Sequence, residues 1–87
     1  MFKKERAEID AIDKELVKLF ERRMDAVTEV ARIKKKYHLP VLDQKREDKV
    51  LEKVRNLTEN KAYAESMVQL YKHLMNVTKD FEEEQNK

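Results

Sequence analysis

Residues 4–37, KERAEIDAIDKELVKLFERRMDAVTEVARIKKKY, decide the fold. Apolar side chains recur there at Ile9, Ile12, Leu16, Leu19, Phe20, Ala26, Val27, Val30 and Ile33, at the three- and four-residue spacings of one amphipathic helix. Neither glycine nor proline interrupts the stretch, so the pattern predicts a single helix from about Lys4 to Tyr37. Such a helix is about 50 Å long, more than the width of a globule of this size. Half of its apolar stripe therefore needs a second chain to cover it.

Downstream, Pro40 ends the helix, because the residue before a proline is pushed out of the α region. Asp43 is placed to cap a second helix, 44–58, with Val50, Leu51, Val54 and Leu57 on its apolar face. A turn around Asn60 leads to a third helix, 63–83, which directs Met67, Leu70, Tyr71, Leu74, Thr78 and Phe81 to one side. The polar end EEEQNK is expected to fray. The expectation is an all-α fold of three helices with a very long first helix, forming a single domain over residues 1–87.

Composition supports this reading. The chain has 87 residues, no glycine and one proline, so the turns that hairpins, phosphate loops and nucleophile elbows require are missing. It has no cysteine, which rules out disulfides, thiolate metal sites and a cysteine nucleophile. Charged residues make up 44% of the sequence, but 20 basic residues face 18 acidic ones, so no broad cationic field suits nucleic acid. No apolar run has the length of a membrane span, and the start MFKKERAEID lacks the apolar stretch of a secretory signal. A cytoplasmic, soluble protein with no nucleic-acid or membrane partner is expected.

The informative anomaly is charge on an apolar stripe. On a helical wheel Arg23 and Lys34 fall in its middle, among Leu19, Val27 and Val30, and Arg6 lies near its edge. An unpaired buried cation costs several kcal/mol, so these side chains call for buried acids or an anionic ligand. Two plainer readings compete: a coiled-coil seam in which the cations set register, and long side chains that reach back to water. The cluster Asp43-Gln44-Lys45-Arg46-Glu47-Asp48 likewise reads as a solvated helix start, with Asp43 as cap and Glu47 in the favourable field of the first turn, whereas Arg46 is disfavoured there. His38 and His73 have no spacing that suggests a metal site or a catalytic triad.

Taken together, Arg6, Ile9, Ile12, Asp13, Leu16, Leu19 and Arg23, then Val30, Ala31 and Lys34, then Leu39, Pro40, Val41, Asp43, Arg46 and Glu47 form a pattern that resembles the all-α chorismate mutases. The resemblance is strong from Arg6 to Leu51 and weaker in helix 3. It implies an intertwined helical homodimer with two sites, each built from both chains, that converts chorismate to prephenate without a cofactor or metal. It further implies that Arg23 of one chain and Arg6 of the other grip the substrate carboxylates, while Lys34 donates to the ether oxygen. By the same resemblance Asp43 and Glu47 hold the ring hydroxyl, Arg46 supports the site, and Thr78 stands where the family commonly has a serine near a carboxylate.

One position departs from the family pattern. Where many members carry a glutamine that donates to the ether oxygen, this chain has Glu82, and Gln85 offers an amide one turn later. A carboxylate cannot donate, so Glu82 in this role must be protonated, and activity should decline as pH rises. Two alternatives share much of the pattern: an isochorismate pyruvate lyase of the same fold, and a noncatalytic helical dimerisation module.

Overall fold

The computed structural model describes residues 1–87 and consists of three α-helices: α1 (Lys3–Lys36), α2 (Gln44–Leu57) and α3 (Ala64–Gln85). A single 3-10 turn, Lys61–Tyr63, precedes α3, and there are no strands. The very long first helix and the all-α class follow the sequence pattern.

α1 ends just ahead of Pro40, in a turn closed by the backbone. His38 adopts a left-handed conformation with φ 56°, the position usually given to glycine. The His38 N–H donates to the Lys35 carbonyl at 3.3 Å and the Leu39 N–H to the Lys34 carbonyl at 2.8 Å, closing the last turn. Lys34, Lys35 and Lys36 place positive charge in that turn, where the helix dipole favours it. Asp43 begins α2 by accepting the Arg46 N–H at 3.1 Å, which satisfies one of the free N–H groups of the first turn. Asn60 accepts the Ala62 N–H at 3.0 Å and starts the turn that reverses the chain into α3.

α3 is the shared partner: it packs against both α1 and α2, whose backbones stay apart. The core is small, comprising Val27 and Ala31 of α1, Val54 of α2, and Ala64, Val68 and Met75 of α3. The inward stripe of α3 is rotated from the predicted one: Val68 and Met75 are buried, whereas Leu70 is exposed, and Leu57 at the end of α2 is exposed as well. Ala64, Val68 and Met75 recur at four and seven residues and so share the face of α3 that is buried, from which Leu70 is turned away.

No residue of α1 before Val27 is buried. Ile9, Ile12, Leu16 and Leu19 lie along its outer half, each more than half exposed. The molecule measures 52 × 24 × 15 Å and its radius of gyration is 15.7 Å, against about 12 Å for a compact chain of this length. Its accessible surface of 7496 Å² likewise exceeds the roughly 5,400 Å² expected for a compact monomer of its mass.

Candidate functional site

Where the three helices converge, a cleft of about 170 Å³ opens. The inner half of α1 supplies Arg23, Val27, Val30 and Lys34; the loop and first turns of α2 supply Val41, Asp43, Arg46, Glu47 and Val50. α3 completes the wall with Met75, Thr78, Lys79 and Glu82. Helical periodicity explains the grouping: Arg23, Val27, Val30 and Lys34 share one face of α1, as Met75, Thr78, Lys79 and Glu82 share one of α3.

Two polar links join α1 to α3 across the cleft. The Arg23 Nη1 donates to the Thr78 Oγ1 at 2.7 Å, and the Thr78 hydroxyl in turn donates to the Leu74 carbonyl at 2.9 Å. Thr78 thus fixes one arm of the guanidinium and leaves its other N–H groups free of protein partners. Eleven residues further along α1, the Lys34 Nζ lies 3.2 Å from the Glu82 Oε1 and donates to the Val41 carbonyl at 2.8 Å. The side chains of this pair are 18% and 7% exposed, so the anomalous cation of the apolar stripe does meet a buried acid.

Seven of the eight singled-out side chains therefore line one cleft: Arg23, Lys34, Asp43, Arg46, Glu47, Thr78 and Glu82. Glu82 is buried and Gln85 lies exposed outside the lining, so it is the carboxyl and not the amide that faces the cleft. Glu47 is half-buried, and Asp43 and Arg46 are exposed at the mouth. Arg6 is not brought in: its guanidinium sits 5.9 Å from the Phe2 ring, and 17 residues of helix, roughly 25 Å, separate it from Arg23. Lys79 was missed by sequence reasoning, although its place between Thr78 and Glu82 on the same helix was a usable signal. By contrast, Arg32 hydrogen-bonds Glu29 on the fully exposed face of α1 and holds that carboxyl below its ordinary range, an effect remote from the cleft.

The sequence model of the chorismate mutase type II family matches residues 5–83. The chain belongs to that family. A T-protein from Haemophilus influenzae is 39% identical to it over 57 residues, which cover 66% of this chain and 15% of the T-protein. This chain thus corresponds to a small part of that longer relative. No solved structure matches the chain significantly. The family match takes in α2, all but the ends of α1 and α3, and every cleft residue named above.

Proposed function

We propose that the protein is a chorismate mutase that rearranges chorismate to prephenate, in the cytoplasm and in the service of phenylalanine and tyrosine synthesis. The observation that carries this reading is the convergence of Arg23 and Lys34 with Asp43, Glu47 and Glu82 on one cleft, within a chain of the chorismate mutase type II family.

The reaction breaks a C–O bond and forms a C–C bond within a single molecule, so no nucleophile, cofactor or external proton is consumed. Two tasks remain: folding the enolpyruvyl arm over the ring, and stabilising negative charge that grows on the ether oxygen. Arg23, held by Thr78, presents its free N–H groups to one carboxylate, and a guanidinium fork orients such a group as well as attracting it. Lys34 is the donor to the ether oxygen, where its charge counts most in the transition state. Because Glu82 lies against Lys34, an ether oxygen received there meets both groups. Glu82 adds a second hydrogen bond only when protonated. Asp43 uses Oδ1 to cap α2 and keeps Oδ2 for the ring hydroxyl together with Glu47; Arg46 supports the mouth.

The second carboxylate is assigned to Arg6 of a partner chain in a homodimer. Two observations support the pairing. The outer half of α1 carries an uncovered apolar stripe, and the cleft of one chain is smaller than the roughly 300–1,000 Å³ of ordinary ligand sites. An excess of about 2,000 Å² over a compact monomer is of the size that stable association buries.

The test is loss of chorismate absorbance with purified protein, with the product identified by chromatography. Prephenate supports the reading. Pyruvate and salicylate from isochorismate would replace it with a lyase, and a folded but inert protein would leave a helical dimerisation module.

A further inference from the structure

Four cations and three acids surround the cleft: Arg23, Lys34, Arg46 and Lys79 against Asp43, Glu47 and Glu82. Arg23 is tied to Thr78, Lys34 is paired with Glu82, and Arg46 is exposed at the mouth. Lys79 differs from these. It is half-buried in the wall and makes no ion pair or side-chain hydrogen bond, although Glu82 and Glu83 follow it by three and four residues on its own helix. Helical neighbours at those spacings are within reach of each other, so the absence of a pair means that the ammonium is turned elsewhere.

We propose that Lys79 is a substrate-binding residue whose ammonium shares with Arg23 the carboxylate bound beside Thr78. The inference rests on the chorismate reading above and adds a contact to it. Position supplies the first argument. The Arg23 Nη1 is fixed to the hydroxyl of the residue immediately before Lys79, so an anion received by the free N–H groups of Arg23 lies against the same stretch of α3. A guanidinium fork orients such a carboxylate, and a lysine adds an adaptable point charge on a flexible stem. Charge supplies the second. Lys79 is one of four cations set against three acids around the cleft, so its removal lowers the positive charge offered to a dianion by one. The plain alternative is a lysine that lays its stem on the cleft wall and extends its head to water. That alternative predicts no effect of its charge on substrate affinity.

Steady-state kinetics on chorismate separate the two. Lys79→Met keeps most of the stem and removes the charge, and is expected to raise KM about tenfold while kcat changes less than about threefold, the loss of one charge-assisted contact made in both ground and transition states. Lys79→Arg is expected to recover KM to within about threefold of the parent, and Lys53→Met, an equal change in net charge on the exposed face of α2, to leave it unaltered. Inhibition by prephenate, a dicarboxylate as well, should weaken in step with KM. Should Met disturb α3, as circular dichroism melting would reveal, Lys79→Gln gives the same readout. An active parent whose Lys79→Met variant keeps its KM within twofold overturns the assignment and leaves the mutase reading standing, as does an arginine variant no better than the methionine one. A parent that does not convert chorismate overturns both.

Discussion

Replacing Lys34 by methionine should damage folding and catalysis by separable amounts. The Glu82 side chain is 7% exposed and its ion-pair partner is Lys34, so Lys34→Met leaves a carboxylate in the core with nothing to offset its lost hydration. Removing one member of a buried pair costs about 3–5 kcal/mol, and because Lys34 itself is 18% exposed the low end, about 3 kcal/mol, applies. For a domain of this size each kcal/mol moves Tm by about 4–8 °C, so a fall of roughly 12–24 °C is expected at fixed protein concentration. Adding Glu82→Gln removes the orphaned charge and should return most of that stability, since the two positions touch and their effects do not add. Activity should not return with it: loss of the cation at the ether oxygen costs about 10²–10³ in kcat whether or not the fold is repaired. Circular dichroism melting and the chorismate assay, run on both variants, check the two halves. A Lys34→Met protein that melts within 2 °C (roughly half a kcal/mol) of the parent would refute the buried-pair argument. A folded Lys34→Met/Glu82→Gln protein that turns over chorismate within about tenfold of the parent rate would refute the role of Lys34.

Leu16→Glu puts a charge on the uncovered stripe of α1 without touching the core of its own chain; sedimentation should show a dimer for the parent and a monomer for the variant, and an active parent monomer would sink the pairing. Arg6→Ala, at an exposed position, should alter stability by no more than about 0.5 kcal/mol yet lower kcat/KM by about a hundredfold; unchanged turnover would remove Arg6 from the site. If a donor at position 82 serves the ether oxygen, Glu82→Gln, which supplies a permanent amide donor there, should keep or raise kcat; a folded Glu82→Gln protein without turnover would exclude the role.

How much the sequence discloses differs from helix to helix. α1 and α2 are legible because Pro40 and Asp43 mark the break between them and because an apolar repeat sustained over so many residues has one solution. Two cations of the cleft are visible for the opposite reason: Arg23 and Lys34 violate the pattern around them, and a residue that breaks a local rule points to function. α3 was harder. Its apolar residues are dense enough to permit two stripes, and whether Leu70 or Val68 turns inward is decided only once a neighbouring helix is in place. Lys79 escaped for a related reason, since a lysine among charges near a chain end looks like ordinary surface until the opposite wall is known. The left-handed turn at His38 also gives little warning, because the glycine that usually announces it is absent.

The length of α1 has a genetic corollary. In the paired arrangement proposed above, Arg6 and Arg23 of one chain serve different sites, because some 25 Å of rigid helix keeps them apart. A chain carrying Arg6→Ala and a chain carrying Arg23→Met are each inactive as homodimers. Together they reconstitute one intact site per mixed dimer, so two defective alleles expressed in equal amounts should restore roughly a quarter of the normal complement of sites. Both lesions on one allele would leave its mixed dimer with an unaltered chain no intact site, since one site then lacks Arg6 and the other Arg23. An enzyme built around an overlong helix thus turns the distance between two residues into a rule about which mutations can rescue each other.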